Sequence, residues 1–278
     1  MWFKRFLALA ALAAALAALL VLVRPPRADP PAVSAAHATT PTPKRQAAGQ
    51  VSGAAARRMR VPILMYHVIS QAPPGIANAE LWVDRHVFAD EMHALRAASY
   101  TAVTLEQVWT AWKHGGPLPK RPVVVSFDDG YLSHYTHAKP VLRALGWPGV
   151  LNLELKSIGP GGLTEHQIRS LMQAGWEVDS HTLTHPDLTM LDDAALAHEL
   201  VGSRQELRER FGVRADFLAY PAGRYDERVE AAARAAGYKA ATTVDEGIAR
   251  GRDDPFALKR VRVNASDTAL TLLAKLGQ

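Results

Sequence analysis

Cysteine is absent from the 278 residues of the chain. The protein therefore has no disulfide, no thiolate metal site, no cysteine nucleophile and no bacterial lipoprotein anchor. The chain also lacks a strong bias toward hydrophobic or charged residues, which make up 48% and 21% of it. These values are ordinary for a soluble globular domain and exclude disorder throughout, a collagen-like chain and a protein with many membrane spans.

Acidic residues are nearly absent from the first 60 positions, which hold one of the 27 Asp and Glu residues but nine of the 32 Lys and Arg residues. The remaining 218 residues carry 23 basic and 26 acidic side chains, a formal net charge of −3, although the whole chain has +5. The basic character therefore belongs to the N-terminal segment. We expect no nucleic-acid partner, because the body of the protein is slightly acidic.

An apolar run of 17 residues, 7–23, follows the basic start at Lys4 and Arg5. At about 1.5 Å per helical residue it spans roughly 25 Å, near the lower limit for crossing a bilayer. Residues 24–27 read Arg-Pro-Pro-Arg and occupy the place of a small-residue cleavage site. We expect residues 1–24 to be an uncleaved signal anchor in the cytoplasmic membrane, with a cleaved signal peptide as the main alternative and a buried core helix as the other.

Residues 25–60 contain six prolines among Ala, Ser, Thr and Gly and show no apolar periodicity. This composition predicts a disordered linker. Since the basic end of a leader stays in the cytoplasm, the domain after the linker, residues 61–278, is expected outside the cytoplasm, in the periplasm or the extracellular space. It is expected to be secreted if the leader is cleaved.

From residue 61 onward, short β-branched and apolar runs alternate with segments of helical periodicity. The clearest strand is 123–127, which is apolar on both faces, as a strand covered by helices should be. Thr164 and Asp192 are typical helix caps. About seven strand–helix units in this length predict an α/β fold with a closed or nearly closed parallel barrel, and an open doubly wound sheet is the alternative.

Two adjacent carboxylates, Asp128 and Asp129, follow the 123–127 strand directly. Loops at the carboxyl ends of parallel strands are where such folds carry their reactive groups. Neighbouring carboxylates repel each other, so a cation beside them is the usual resolution. The alternative is a pair of acids that cap the next helix.

Two histidines four residues apart, His181 and His185, follow the predicted strand 176–180. Neutral imidazole is a common metal ligand, but this spacing alone is a weak signal. Placed beside Asp129, the pair would complete a set of three protein ligands with an open position, the pattern of a catalytic metal site. The glutamate of an HExxH zinc protease is missing, because Thr182 follows His181.

Three motifs in this order resemble the polysaccharide deacetylases with the NodB homology domain: Ser-Phe-Asp-Asp-Gly at 126–130, His-Thr-Leu-Thr-His at 181–185 and Tyr-Pro-Ala-Gly at 220–223. The resemblance covers about residues 61–265. The opening Pro-Ile-Leu-Met-Tyr-His at 62–67 is similar to the branch that acts on poly-β-1,6-N-acetylglucosamine. The fold that the resemblance implies is a distorted (β/α)7 barrel.

The resemblance also implies roles for individual residues. Asp128 would be the general base, and Asp129, His181 and His185 would hold a divalent metal, Zn²⁺ first and Co²⁺, Ni²⁺ or Fe²⁺ as alternatives. The oxyanion would be held by the metal and by a backbone N–H of the 220–223 loop. Ala222 is the expected donor, with Tyr220 and Pro221 in the same substrate-binding loop.

The general acid implied by the polyglucosamine branch is His67, at the end of the first predicted strand, with an inert histidine at the barrel mouth as the alternative. The family's Arg-x-Pro-Tyr loop reads Ala-Tyr-Pro-Ala at 219–222, so the Arg that orients the base and one aromatic are both replaced. Arg224 and Arg260 are candidates for the compensating charge. Asp179, two residues before His181, is expected on the same side of its strand and could orient a ligand histidine from behind.

Other polar and aromatic residues lie near the candidate loops. His134 and His137 are expected to be surface or rim residues. Aromatic platforms for a sugar polymer are sought among Trp82, Tyr131, Trp147 and Tyr225.

The expected function is removal of N-acetyl groups from an N-acetylglucosamine-containing polysaccharide by a metal-activated water, in a monomeric protein. Two alternatives stay open. An O-acetyl esterase would use the same catalytic residues on another glycan, and a silent carbohydrate-binding barrel would have the same fold.

Overall fold

A computed structural model describes residues 49–277. The predicted anchor, residues 1–24, and most of the predicted linker lie outside the described residues. Within residues 49–277, none of the helices combines the length and the hydropathy that a membrane span requires.

Short strands and eight α-helices make up the described part of the chain. The strands are β1 Gln50–Val51, β2 Arg60–Val61, β3 Ile63–Tyr66, β4 Val68–Ile69, β5 Trp82–Val83, β6 Thr101–Ala102, β7 Leu118–Pro119, β8 Pro122–Asp129, β9 Val150–Leu153, β10 Glu177–Ser180, β11 Phe217–Ala219, β12 Ala240–Glu246, β13 Ala249–Arg250 and β14 Leu258–Arg262. The helices are α1 Gly53–Arg57, α2 Arg85–Ala97, α3 Leu105–His114, α4 Lys139–Leu145, α5 Glu165–Gln173, α6 Asp193–Phe211, α7 Glu227–Ala235 and α8 Ala269–Lys275.

Seven parallel strands close into a barrel in the order β3, β8, β9, β10, β11, β12 and β14. The ring closes because β3 pairs with β14 on one side and with β8 on the other. The prediction of a seven-stranded α/β barrel is confirmed, and the alternative of an open sheet is wrong. Because all seven strands are parallel, their carboxyl ends lie together at one end of the barrel.

The helices that cover the barrel begin at the residues that local chemistry favours. Thr164 accepts from the backbone N–H of Gln167 at the start of α5, and Gln167 accepts in return from Thr164. The side chain of Asp192 accepts from the N–H of Ala195 at the start of α6. Both predicted caps are therefore confirmed.

Residues 50–60 belong to the folded body, although the sequence predicted a linker up to residue 60. Strand β1 pairs with β7, and the side chain of Ala56 in α1 is fully buried. The indole N–H of Trp112 donates to the carbonyl of Met59 over 3.0 Å. The predicted boundary at residue 61 is too late because this segment packs through alanine methyl groups and backbone contacts, which leave no apolar periodicity in the sequence.

The end of β3 is fixed from within the core. The Tyr66 hydroxyl donates to the Glu91 carboxylate of α2 over 2.8 Å, and the Tyr66 ring packs edge-on against Phe88 with centroids 5.2 Å apart. Since Tyr66 immediately precedes His67, these contacts hold the first residue of the candidate site in place.

Strands β10 and β11 are joined less completely than their neighbours, by a single register pair, Ser180 with Leu218. The buried carboxylate of Asp179 accepts from the N–H of Phe217 over 3.3 Å. Burial, followed by the nearby carboxylate of Glu177, raises the pKa of Asp179 well above its usual range. Asp179 therefore supports the barrel wall through Phe217, and its expected role behind a ligand histidine stays a prediction.

Candidate active site

A cleft of about 750 Å³ opens at the carboxyl ends of the barrel strands. It is lined by the residues that follow β3, end β8 and follow β10, which brings together His67, Asp128, Asp129, His181 and His185. The topology explains why these residues lie together. The carboxyl ends of parallel strands are at the same end of the barrel, even where the strands are far apart in the sequence.

Three side chains in the cleft form a cluster suited to a metal ion. The ligand atoms of Asp129, His181 and His185 all lie within 4.8 Å of one another. The Asp129 carboxylate oxygen is 3.3 Å from His181 Nε2 and 3.7 Å from His185 Nε2. Ligand atoms about 2.1 Å from a tetrahedral Zn²⁺ would be separated by roughly 3.4 Å, so this donor set fits such an ion.

The ring of His181 is oriented by a backbone carbonyl. Its Nδ1 lies 2.7 Å from the carbonyl oxygen of Ala219, which leaves Nε2 facing Asp129. Burial opposes the charged form of His181, but the carboxylates of Asp129 and Asp128 outweigh it and raise the pKa of His181. A metal ion binding there must therefore compete with a proton.

Several residues of the site adopt left-handed backbone conformations that are unusual outside glycine. The φ angles are 76° at Asp129, 70° at Thr182, 56° at His185 and 50° at Ala222. Such conformations cost energy and persist only where the surrounding structure enforces them. These left-handed residues are concentrated in the loops at the carboxyl ends of the strands, as is typical of a functional site.

Asp128 is buried, with 1% of its surface exposed, and its carboxylate is held by two partners. Arg260 Nη1 and Asn152 Nδ2 both donate to Oδ1, over 2.8 and 2.7 Å. Burial would raise the pKa of Asp128, but the Arg260 guanidinium and the nearby histidines lower it well below the usual range. Oδ2 accepts none of these bonds and lies 3.9 Å from His67 Nε2.

Arg260, on β14, places its positive charge beside Asp128, where it can compensate for the arginine that is missing from the 219–222 loop. It is itself fixed by a bond from Nε to the carbonyl of Thr243 over 2.8 Å. The other candidate, Arg224, is exposed and pairs with Asp187 over 2.6 Å. Of the two arginines that the sequence offered, Arg260 is the one that contacts Asp128.

His67 is supported from behind by a histidine that the sequence analysis placed at the rim. His134 is fully buried, and its Nε2 lies 2.6 Å from the carbonyl oxygen of His67. Burial lowers the pKa of His134 to about 4 and also lowers the pKa of His67. His137 reaches the carbonyl of Ile69 over 2.6 Å in the same way. The expectation that His134 is a rim residue is therefore wrong.

The loop after β11 presents Ala222 to the cleft. The left-handed conformation of Ala222 follows the buried Pro221, and both lie in a short turn of helix, Pro221–Gly223. The ring of Tyr220 is buried and stacks on Tyr225 with centroids 4.8 Å apart. Both residues line the cleft, but Tyr220 is fully buried and supports the loop, whereas Ala222 is exposed.

The walls of the cleft include only one of the four expected aromatic platforms. Tyr131 lines the cleft beside Gly162, with which it forms an isolated antiparallel bridge. Trp147 is 3% exposed and packs in the core, so its assignment to the substrate groove is wrong. Trp82 and Tyr225 are not among the residues that line the cleft.

Asn152 is the site residue that sequence reasoning missed. It lies in β9, whose residues Val150, Leu151 and Leu153 are apolar and buried, and it is in register with Asp128 on β8. A single amide within an apolar barrel strand was the available signal, because a buried amide needs a polar partner.

Comparisons with known proteins agree with the geometry of the cleft. A family model described as polysaccharide deacetylase matches residues 115–241. YxkH of Bacillus subtilis (strain 168), whose name carries the words polysaccharide deacetylase, is 32% identical over 206 residues, which cover 74% of this chain and 72% of the relative. A poly-beta-1,6-N-acetyl-D-glucosamine N-deacetylase of Staphylococcus aureus (strain MRSA252) is 22% identical over 208 residues, 69% of this chain and 71% of the relative.

Among solved structures, the Streptococcus pyogenes deacetylase PplD in complex with acetate superposes with a TM-score of 0.74 at 27% identity. The match covers 78% of this chain and 98% of PplD. The segment that matches the family model contains Asp128, Asp129, His181 and His185, but it ends before Arg260 and begins after His67.

Proposed function

Because the chain belongs to the polysaccharide deacetylase family and is a hydrolase, we propose that it removes N-acetyl groups from an N-acetylglucosamine-containing polysaccharide with the help of a divalent metal ion. The observation that carries the proposal is the cluster of Asp129, His181 and His185 beside the buried carboxylate of Asp128. The S. aureus relative, whose name gives poly-β-1,6-N-acetylglucosamine as its substrate, supports this class of polymer.

Asp129, His181 and His185 would hold the ion, and Zn²⁺ is the ion that a donor set of two imidazoles and one carboxylate favours. Co²⁺, Ni²⁺ and Fe²⁺ accept the same ligands. A divalent ion at this place supplies a Lewis acid for the acetyl carbonyl and lowers the pKa of water.

Asp128 is the proposed general base. Its lowered pKa favours the ionised carboxylate, and Oδ2 is the oxygen that accepts neither the Arg260 nor the Asn152 bond and could take a proton from the attacking water. Arg260 and Asn152 act through Asp128 by fixing Oδ1, so that Oδ2 keeps one orientation. Such positioning is a recognised source of rate enhancement.

The leaving nitrogen needs a proton, and His67 is the proposed acid. The lowered pKa of His67 makes it neutral at pH 7, so it must first receive a proton. Asp128 Oδ2, 3.9 Å from His67 Nε2, is the nearby group that has just taken one from water. The backbone N–H of Ala222 is the proposed donor to the oxyanion, because this residue faces the cleft.

The location and assembly of the protein are part of the proposal. The basic residues Lys4 and Arg5 before the apolar run 7–23 favour a membrane anchor with the catalytic body outside the cytoplasm. A monomer is proposed, which light scattering on the purified full chain would test. Protease accessibility of the body in intact cells would test the location.

Acetate release tests the proposed reaction. Metal-stripped protein and protein restored with Zn²⁺ should be compared on poly-β-1,6-N-acetylglucosamine oligomers, peptidoglycan and acetylxylan. We expect metal-dependent release from the first or second substrate. Release from acetylxylan alone would identify an O-acetyl esterase, and no metal-dependent release from any of the three would contradict the proposed function.

Two variants separate the base from the metal site. Asp128→Asn should abolish turnover while Zn²⁺ binding, measured by calorimetry, is retained. His181→Ala should weaken Zn²⁺ binding and activity together. Full activity of Asp128→Asn would show that the base is assigned wrongly.

A further inference from the structure

A cluster of unpaired positive side chains lies at the end of the barrel opposite the cleft. Five arginines line a cavity of about 430 Å³ there, together with Gly251, and we call them the basic face: Arg57, Arg58, Arg60, Arg250 and Arg252. A second cavity, of about 400 Å³, shares Arg60 and extends the face to Lys120 and Arg121.

The position of this face follows from the topology. Arg60 lies just before β3, and Lys120 and Arg121 come just before β8, so these residues mark the amino ends of two barrel strands. His67 and Asp129 lie at the carboxyl ends of the same strands. The basic face and the catalytic cleft therefore point in opposite directions.

In the part of the chain that the structure describes, no acidic side chain pairs with the arginines of the face. The carboxylate of Asp253 accepts from the backbone N–H of Arg250 over 2.9 Å and does not reach its guanidinium in an ion pair. Among the described residues, the one side-chain hydrogen bond from the cluster runs from Arg57 to the carbonyl of Lys113.

Two of these arginines face each other directly across paired strands. Arg60 of β2 and Arg250 of β13 are register partners in an antiparallel pair. Like charges in such positions destabilise the pair. The described body has no net charge, because its 26 basic and 26 acidic residues cancel, so these clustered charges are accounted for by an anionic partner that lies over them.

We propose that the basic face docks the catalytic body onto the anionic phospholipid surface of a membrane. Exposed arginines on a polar face are attracted to anionic headgroups. The chain enters the folded body beside this face, at residues 49–57, and the sequence before it places Lys44 and Arg45 between the face and the apolar run 7–23. In the sequence, Lys44 and Arg45 therefore add two basic residues shortly before the first arginine of the basic face.

Docking in this way would set the direction of the cleft. With the amino ends of the strands against the headgroups, the cleft opens roughly one strand length, about 25 Å, farther from the bilayer. The site would then face a polymer in the space beyond the membrane rather than the lipid.

The absence of cysteine allows a direct test with the full chain, because one introduced cysteine can carry a fluorophore. Ser52→Cys places the label beside the basic face, at an exposed residue that makes no side-chain cap bond. Met190→Cys places it at the cleft end, at a side chain that is 79% exposed. The measurement is quenching by a lipid-borne quencher in vesicles of phosphatidylcholine, with or without phosphatidylglycerol.

We expect phosphatidylglycerol to increase quenching of the label at position 52 and not of the label at position 190. High salt should remove the increase, because surface charge attraction is screened. Arg58→Glu with Arg252→Glu should abolish it without changing the thermal unfolding midpoint. Arg85→Glu with Arg208→Glu, which changes the net charge equally at exposed positions outside the face, should preserve it.

Three results would overturn the proposal. One is equal quenching at position 52 on neutral and anionic vesicles. Another is an equal effect of the two charge-reversal pairs, which would indicate net charge rather than a face. The third is removal of the quenching by duplex DNA at phosphate concentrations far below those of the lipid, which would assign the face to a nucleic acid.

Discussion

Arg260 Nη1 donates to Asp128 Oδ1 over 2.8 Å, and the two side chains are both almost fully buried. They are 132 positions apart in the sequence and lie on β14 and β8, the two strands that flank β3 in the closed ring. A buried ion pair of this kind is strongly destabilising to break from one side, because the remaining charge is left without a partner. The pair therefore ties the orientation of the proposed base to the closure of the barrel.

Replacing Arg260 by Gln should lower kcat by about a hundredfold, because a catalytic group that is misplaced by an ångström loses about that factor. Zn²⁺ affinity should change little, since Arg260 does not contact Asp129, His181 or His185. Arg260→Lys should recover part of the loss by keeping a positive charge near Oδ1. Steady-state kinetics and calorimetric metal titration would measure the two effects.

Lys259→Gln is the matched control, because it removes a positive charge from the exposed neighbour of Arg260 on the same strand. Its kcat should equal that of the wild type. A kcat for Arg260→Gln within a factor of about three of the control would mean that the pair serves stability alone.

Replacing His67 by Gln should lower kcat for amide substrates and leave KM nearly unchanged, because a general acid acts at the leaving group. The loss should be much smaller for an acetyl ester with a good leaving group, which departs without protonation. Comparing the two substrates on one variant measures this. Equal losses on amide and ester would indicate that His67 binds the substrate or holds the loop instead.

His134 should make the protein sensitive to acid. Its pKa of about 4 lies below the usual value of about 6.5, so its contribution to stability is complete above pH 6.5 and is lost as the pH falls toward 4. His134→Gln should therefore lose less stability than the wild type between pH 7.5 and pH 4.5, by on the order of 2 kcal/mol. Denaturant titrations of metal-free protein at both pH values would show it.

The exposed His166 supplies the comparison for this experiment. His166→Gln should follow the pH dependence of the wild type. The same loss of stability in His134→Gln and the wild type would exclude His134 as the titrating group.

Glu91 should make the protein less stable at high pH, whereas His134 makes it less stable at low pH. Burial raises its pKa to about 7, so the neutral acid favours folding at low pH, and stability is lost as the pH rises from about 4.5 through 7. Glu91→Gln keeps an acceptor for the Tyr66 hydroxyl and should flatten this decline by roughly 1–3 kcal/mol at pH 8. Unfolding midpoints measured at pH 5 and pH 8 test it, and a decline as steep as in the wild type would contradict the assignment.

The three proposed metal ligands could be predicted from the sequence because each lies in or beside a short motif at the end of a recognisable strand. Asp129 ends β8, and His181 and His185 follow β10, with only β9 between the two strands. Periodicity located those strands, and parallel pairing dictates that their ends meet. Local pattern and topology predicted that the three residues meet, and the family resemblance implied their role as metal ligands.

Arg260 could be named only as one of two candidates, because its partner is set by register around a closed ring. Strand β12 contains an irregularity between Thr242 and Glu246 at its pairing with β14, which shifts the side chains relative to a regular ladder. Sequence periodicity does not report such a shift. His134 was misplaced for a similar reason, since it lies in a π-helical segment, His134–Ala138, whose wider turn redirects its side chains.

The single register pair between β10 and β11 has a mechanical consequence. These two strands carry His181 on one side and the Ala222 loop on the other, and a side-chain carboxylate, Asp179, replaces a backbone ladder bond between them. Amide exchange at Phe217, whose N–H donates to that carboxylate, should therefore be faster than at barrel residues whose N–H groups have backbone partners. We therefore expect the barrel to open first between β10 and β11, which carry the metal ligand His181 and the proposed oxyanion donor Ala222.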